Sequence, residues 1–541
     1  MSKVLKDPVY GYIQIEGEIL SDIIDTPEFQ RLRHIEQTSY TPLYSSALHN
    51  RFVHSIGVYH LGSLVSSVLF EYVKGNEELS LLGEEKIQHI CKDYELACLL
   101  HDVGHSPFSH SGEKFYYSCN GAKNEPIFSS LKQYINKKAF KTDFSSCIVN
   151  KEIPKQHEIM SAIIGVSKFK HFIHDVEFFA RCITGVKYES DSNALIQIKN
   201  IFIKLLNSSC IDVDKIDYLI RDAYVTGFET ISIDYKRLLS NVEIKKYNGK
   251  LELVFNKKAL SILENVIYAH DAERKWIQNH PIVLYEAFLV QYAIKSVVDF
   301  YKRKNIDLFS EKALSAEGIT SPCKIRLLCD DDIIYVMKNE LSLPLVNEYF
   351  DRKLRRHPIW KSEAEYKVIF DNKKGKDWTK QFASILSKLN NFLEKESPSP
   401  ILNQDSLSFC EESLDSVKNA LDIDEYDKCQ FKKKYEDLKQ IIMKFQHLSK
   451  AMHIDFDFVI IEANRFKTGF SKSELQRMLI SFPGFEQPRE LKSVTNLLDS
   501  LPPDEKNFYY LFYKRKPNSS MTIADFSEKI DKEFNSLIQK L

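Results

Sequence analysis

Apolar residues recur every three or four positions along SIGVYHLGSLVSSVLFEYV (55–73), DYELACLLHDVG (93–104) and PIVLYEAFLVQYAIKSVVDFY (281–301), a spacing that predicts helices with a buried face. Strand-like alternation is rarer. VEIKKYNGKLELVF (242–255) alternates on both sides of Asn248-Gly249, a dipeptide suited to a tight hairpin turn, and FDFVIIEA (456–463) reads as a further strand. The expected fold is mainly α, a helical core with small β-hairpins and a C-terminal α+β lobe. The period fails at DNKKGKD (371–377) and EKESPSPILNQ (394–404), where Pro, Ser and charge replace it; this predicts a larger domain over 1–370 and an accessory lobe over 371–541. A polar, Lys-rich segment at 120–155 interrupts the first domain and reads as a mobile loop or an insertion.

Composition narrows the class. A chain of 541 residues that is 43% hydrophobic can bury a large core, and 74 basic against 75 acidic residues leave no global field to pull it onto nucleic acid or a membrane. Ten scattered cysteines without a Cys-x-x-Cys pair suggest neither a zinc knuckle nor a disulfide framework and fit a reducing compartment. No unbroken apolar run approaches the roughly 18 residues of a bilayer span. The expectation is a soluble, cytoplasmic protein with no membrane partner and no requirement for nucleic acid.

Three His-Asp dipeptides occur, at His101-Asp102, His174-Asp175 and His270-Asp271, and context must choose among them. Only the first closes an apolar helical run and opens at once into a breaking loop with two further histidines, HDVGHSPFSH (101–110). Such a helix end presents polar side chains to a cavity, although the pair alone reads equally well as a buried cap. In DVDKIDYLIRD (212–222), Asp214, Lys215, Tyr218 and Asp222 fall on one helical arc with Ile216, Leu219, Ile220 and Ala223 opposite. Taken alone, that stripe is a solvated face. In NRFVHSIGV (50–58), Arg51 and His54 stand one turn apart at the head of a helix, which also reads as a polar helix start. Together, His54, His101, Asp102 and Asp214 offer two imidazoles and two carboxylates. That mixed set suits a divalent ion with open positions for water and phosphate, such as Mn, Fe, Co or Ni, with Mg or Zn as alternatives.

The order of these pieces resembles the HD superfamily and, more narrowly, the SAM-and-HD-domain deoxynucleoside triphosphate triphosphohydrolases. The resemblance runs through KDPVYGYIQIEGEILSDIIDTPEFQRLRHIEQ (6–37), HNRFVHSIGV (49–58), HDVGHSPFSH, KQHEIMSA (155–162), DVDKIDYLIRDAYVTG (212–227) and IDYKR (233–237). FDFVIIEANRF (456–466) and FYYLFYKRK (508–516) are loosely similar to the family's C-terminal lobe. It implies an HD-domain helical core, and water attack on the α-phosphorus that releases deoxynucleoside and intact triphosphate. It implies metal on His54, His101, Asp102 and Asp214, phosphate contacts from Arg51 and Lys215, and proton chemistry from His105, His110 and His157 with Glu158. Tyr218 and Asp222 would face the sugar, and Arg274 and His280 in AERKWIQNHP (272–281) would reach phosphate or base. It also implies a homo-oligomer, dimer or tetramer, with a regulatory nucleotide site at Val4, Asp7, Asp25, Gln30, Arg33 and Arg237. Asp25 reads equally as a helix N-cap, with Pro27 in the first turn. Two departures stand out: the span from His105 to His157 is longer than the family pattern, and Asn256 stands where the family has Arg.

Two other readings compete. One is an HD phosphatase or phosphodiesterase on nucleoside monophosphates, cyclic nucleotides or oligonucleotides. The other is a non-catalytic module for nucleotides or single-stranded nucleic acid, favoured by the basic run DRKLRRHPIWK (351–361).

Overall fold

The computed structural model describes residues 2–116, 127–150, 153–191, 193–208, 210–229, 232–304, 306, 308–316, 326–370, 377–419, 425–463, 471–497, 508–515 and 522–538. The chain forms two compact units. The first takes Met1–Arg274, Val290–Ser342 and Thr468–Pro503; the second takes Lys275–Leu289, Leu343–Lys467 and Asp504–Leu541.

The architecture is mainly α with small sheets. In chain order the elements used below begin with β1 (Ser2–Asp7), β2 (Gly11–Glu16), α1 (Arg51–Gly75) and α2 (Glu84–Leu100). Next come α3 (Ile127–Tyr134), α4 (Lys138–Val149), α5 (Gln156–Phe169), α6 (Val176–Thr184), α7 (Ala194–Leu206) and α8 (Val213–Thr226). The first unit continues with α9 (Tyr235–Leu239), β3 (Val242–Tyr247), β4 (Lys250–Asn256) and α10 (Leu260–Glu273). Beyond these lie α11 (Pro281–Lys302), α12 (Asp330–Asn339), β5 (His357–Pro358), α13 (Asp377–Lys395), β6 (Leu402–Asn403) and α14 (Glu425–Ala451). The chain ends with β7 (Asp457–Ala463), β8 (Leu479–Ser481), β9 (Arg489–Glu490), β10 (Phe508–Tyr513) and α15 (Ile523–Ile538).

In the first unit α1 is the central helix. Asn50 caps it by accepting the Val53 N–H, and its apolar residues are buried on nearly every side, with α2 and α8 packed against it. The expected hairpin forms from β3 and β4, with Asn248 and Gly249 at φ 50° and 81°. A mirror-type two-residue turn requires that left-handed geometry. The hairpin extends to a sheet of order β3-β4-β8-β9, in which β8 lies parallel to β4. In the second unit an antiparallel sheet of order β5-β10-β7-β6 is accompanied by α13, and α15 packs on α14. Every residue of β10 is buried, so FYYLFY is a continuous apolar run rather than an alternating one.

Two readings of the sequence are refined. Helices α1 and α11 are long and apolar enough to cross a bilayer by length and composition, which the search for an unbroken run missed because polar residues punctuate both. Within the folded chain, 67% of the most apolar stretch of α1 and 56% of that of α11 are buried. Of the two readings of 120–155, a loop or an insertion, the first is overturned: its described part carries the helices α3 and α4. Lys-rich composition hid an apolar stripe, because Phe140 and Phe144 stand one turn apart and are both fully buried. Asp143 on the same helix accepts from the guanidinium of Arg181 on α6 at 2.7 Å, and α3 packs on α5. Residues 120–126 and 151–152, like residues 371–376 of the expected break at 371–377, lie outside the described residues.

Candidate metal centre

Three helices deliver the proposed ligands. The first turn of α1 carries His54, the end of α2 passes directly into His101 and Asp102, and the first turn of α8 carries Asp214. The His54 Nε2 lies 3.0 Å from Asp214 Oδ1, 3.3 Å from His101 Nε2 and 3.6 Å from Asp102 Oδ2. The His101 Nε2 lies 3.5 Å from Asp102 Oδ1 and 3.7 Å from Asp214 Oδ1.

The hydrogen bonds on the far side of each ring fix what these nitrogens are. His54 Nδ1–H donates to Asp217 Oδ2 at 2.7 Å, and His101 Nδ1–H donates to the Cys98 carbonyl at 2.8 Å. In the neutral rings both Nε2 atoms therefore carry lone pairs, and two lone pairs 3.3 Å apart do not hydrogen-bond to each other. Neighbouring ligand atoms sharing one ion at about 2.1 Å stand roughly 3.0–3.4 Å apart. The spacings of His54 to Asp214 and to His101 match, and His54, His101 and Asp214 form a group that could hold a divalent cation, with the 3.5–3.7 Å spacings slightly wider.

The electrostatics ask for positive charge. Burial opposes protonation of His54, yet its hydrogen bonds with Asp214 and Asp217 and the charge of Asp102 raise its pKa to about 10 in the absence of an ion. Burial likewise opposes ionisation of Asp102, but Arg51, His101 and His54 hold its carboxyl below the usual range. At neutral pH a proton on His54 fills the role that an ion would take. A bound ion needs the His54 lone pair and must expel that proton. Raising the pH toward about 10 eases the expulsion, so apparent Mn2+ affinity should strengthen with pH, by up to about tenfold per unit, and level off above that value. Binding of Mn2+ followed by its free-ion EPR signal between about pH 6 and 9 checks this; affinity that is flat or falls with pH contradicts it.

A second cluster adjoins the first. His105 stacks on His157 at 4.1 Å between ring centroids, and the His157 Nδ1 lies 2.8 Å from Glu113 Oε1, an oxygen that His110 also engages. His105 is fully buried, its Nε2 is 3.6 Å from Asp102 Oδ1, and burial together with Arg51 pushes its pKa well below the ordinary value. Burial works against the charge of Glu113, but His157 and His110 hold the carboxyl below the carboxylate range. Gly104 lets the loop lie against α5: a Cβ there would meet the Ser161 backbone nitrogen at 2.3 Å.

The other expected residues take varied places. The guanidinium of Arg51 is buried and donates to Asp102 Oδ2 at 2.7 Å and to Ser109 Oγ at 2.9 Å. Lys215 reaches Asp212 and the Ser208 carbonyl and lines a cavity of about 190 Å3 together with His101, Asp214, His157, Glu158 and Lys155. Glu158 accepts from the Lys155 N–H as part of the cap of α5. The Tyr218 ring lies 6.4 Å from that of His270, Asp222 Oδ1 lies 2.8 Å from His49 Nε2, and the buried Arg274 Nε has no hydrogen-bond partner. His280 belongs to the second unit.

Of the residues expected at a regulatory site, Asp25, Arg33 and Arg237 are exposed and Val4 is 53% exposed. Arg33 donates to Gln30 and lies 3.5 Å over the Phe52 ring. Asp7 is instead buried against Arg221. Thr26, not Asp25, stands at the N-cap of the short helix Pro27–Gln30, because Asp25 already closes the preceding turn by donating its N–H to the Leu20 carbonyl.

Sequence reasoning missed Glu113 and Asp217. Glu113 stands three residues after His110, and Asp217 one turn after Asp214, so spacing was the available signal for both. The dipeptide chosen by context reaches the cluster, whereas Asp175 of the second His-Asp pair caps α6.

No protein-family model matches the chain. It is 30% identical over 270 residues to the uncharacterized protein MG461 of Mycoplasma genitalium, covering 48% of this chain and 52% of that one. It is 28% identical over 303 residues to the deoxynucleoside triphosphate triphosphohydrolase SAMHD1 homolog of Dictyostelium discoideum, covering 56% and 50%. In both, the match spans about half the length of the relative. A crystal structure of a hypothetical protein from Aquifex aeolicus superimposes with a TM-score of 0.51 at 18% identity, over 99% of this chain and 100% of that one, a likeness of fold. Across these comparisons the chain is similar, at 25–28% identity, to several proteins named deoxynucleoside triphosphate triphosphohydrolase SAMHD1.

Proposed function

We propose that the chain is a metal-dependent hydrolase that converts deoxynucleoside triphosphates to deoxynucleosides and inorganic triphosphate. The observation that carries this reading is the shared cavity, where ligands of the quartet, the His157 side chain and two lysines line one space. When bound, a divalent ion held by His54, His101, Asp102 and Asp214 supplies Lewis acidity to a phosphoryl oxygen and acidity to water. Lys215 and Lys155 supply positive charge for a phosphate chain. Glu113 fixes His157 through Nδ1, which leaves Nε2 to move a proton, the logic of a carboxylate-oriented imidazole. Tyr218, Asp222 and Arg274 form the sugar and base side, where the unpartnered Arg274 Nε awaits an acceptor. Similarity to the Dictyostelium deoxynucleoside triphosphate triphosphohydrolase SAMHD1 homolog supports the same chemistry. Regulation by a second nucleotide and assembly of copies belong to the same proposal, carried by the exposed Val4, Arg33 and Arg237.

The test is incubation with each dNTP and NTP plus Mn2+ or Mg2+, with products resolved by ion exchange. Inorganic triphosphate is expected; orthophosphate or a nucleoside monophosphate would instead mark a phosphatase or phosphodiesterase, and no turnover a binding module. Deoxynucleotides should outrun ribonucleotides, because Tyr218 stands one turn from Asp214 and crowds a 2′-hydroxyl. Tyr218→Ala should narrow that preference by about tenfold, as expected for a steric gate worth 1–3 kcal/mol. Equal turnover of GTP and dGTP by the wild type would remove Tyr218 from the sugar side.

A further inference from the structure

His54 is held from behind by residues far from it in sequence. Asp217 Oδ2 accepts from His54 Nδ1 at 2.7 Å and from Arg221 Nε at 3.0 Å; Asp217 Oδ1 accepts from Tyr10 Oη at 2.8 Å and from Arg221 NH2 at 3.0 Å. The third guanidinium nitrogen, NH1, reaches Asp7 Oδ2 at 3.0 Å, and Asp7 Oδ1 accepts the backbone N–H groups of Val9 and Tyr10. Nothing in this chain of contacts is open to solvent: Tyr10 is 9% exposed, Asp7 5%, Arg221 1%, and Asp217 and His54 0%. The Tyr10 ring is fixed in turn, 5.2 Å from His60 and edge-on to Tyr235 at 5.1 Å. On α1, Gly57 makes room for the arrangement, since a Cβ there would sit 1.9 Å from Asp217 Oδ1 and 2.4 Å from Arg221 NH2.

We infer that the turn between β1 and β2 is a built part of the metal centre, in which Tyr10 and Asp7 are positioning residues that fix Asp217 and, through it, the His54 imidazole. The inference rests on the metal-centre reading above. An ionised carboxylate accepts about four hydrogen bonds, and all four acceptor positions of Asp217 are filled from three directions, by His54, Tyr10 and both faces of the Arg221 fork. The plane of the carboxylate is therefore set. Without the Tyr10 hydroxyl, Arg221 alone opposes rotation of that plane, and without Asp7, Arg221 loses its anchor on the far side. Either change loosens the ring whose Nε2 must meet an ion, and partners behind a ligand characteristically change metal affinity in this way.

The test uses the full chain and Co2+, followed by its visible d–d absorption and by equilibrium dialysis. Tyr10→Phe keeps the ring and its packing while removing only the hydroxyl; Asp7→Asn keeps the shape of Asp7 while removing its charge. Each is expected to weaken Co2+ binding about tenfold, the low end of the range for groups behind a ligand, and to alter the d–d spectrum. Melting of the metal-free protein is recorded alongside. Lowered melting with unchanged Co2+ affinity and spectrum in both variants would make Tyr10 and Asp7 purely structural and overturn the inference. If wild-type protein binds Co2+ no better than a His54→Ala variant, the metal-centre reading itself falls, and the inference falls with it.

Discussion

Asp214→Ala is expected to abolish nucleotide hydrolysis, with a loss of roughly a thousandfold or more, while leaving the chain folded. The size follows from the several kcal/mol that Lewis-acid stabilisation contributes to a phosphoryl transition state, about 4 kcal/mol being close to a thousandfold. Asp214 is the cleaner of the two carboxylates to remove. Its side chain is 34% exposed, and although it contacts the imidazoles of His54 and His101, its loss leaves the buried, protonated His54 still paired with Asp217. Asp102 is different, because its Oδ2 also pairs with the buried Arg51 at 2.7 Å. Asp102→Ala should abolish activity equally but destabilise the fold by about 3 kcal/mol as well, the cost of leaving a buried charge without its partner. Steady-state rates, bound metal by mass spectrometry and urea unfolding separate the two effects. Wild-type turnover by Asp214→Ala, or after exhaustive chelation, would remove the metal from the reaction.

Glu113→Gln should lower kcat by roughly a hundredfold to a thousandfold with metal content unchanged. One carboxylate oxygen, Oε1, is engaged by both His110 and His157. An amide of the same shape keeps one acceptor but loses the charge that supports an imidazolium, and its NH2 group cannot accept. His157 would then lose its fixed orientation. Because Glu113 is not among the quartet, the same samples should bind Mn2+ as the wild type does. A variant with full kcat would make the His110–Glu113–His157 group a brace. A variant that loses metal would join the two clusters into one centre.

The quartet was legible because each of its parts sits at a helix end, where local sequence announces itself: an Asn cap before Arg51, a Gly/Pro-rich loop after His101-Asp102, and an Asp cap before Asp214. What escaped was whatever depended on packing between segments. Asp217 shares a helix with Asp214 but lies outside both the polar arc and the apolar set read there, and its burial is tolerable because His54, Arg221 and Tyr10 pair with it. Asp7 was read as a nucleotide contact from family likeness; nothing local shows that Arg221, more than 200 positions away, claims it. The helices of 127–149 escaped for the opposite reason, since lysines on the outer face outweighed two buried phenylalanines in any reading by composition.

The sheet β3-β4-β8-β9 sets an order of events during synthesis. The β3-β4 hairpin is complete once residue 256 has emerged, yet the strand that pairs with the free edge of β4 spans residues 479–481 and is itself flanked by residues 489–490. Until the ribosome has passed that point, the unit that carries the metal centre waits with an open strand edge, the kind of surface on which nascent chains pair wrongly with one another. The second unit supplies most of the residues made during this delay. Completion of this sheet therefore waits on residues 479–490, and a nascent polypeptide halted at residue 370 would hold every proposed metal ligand while still exposing that edge.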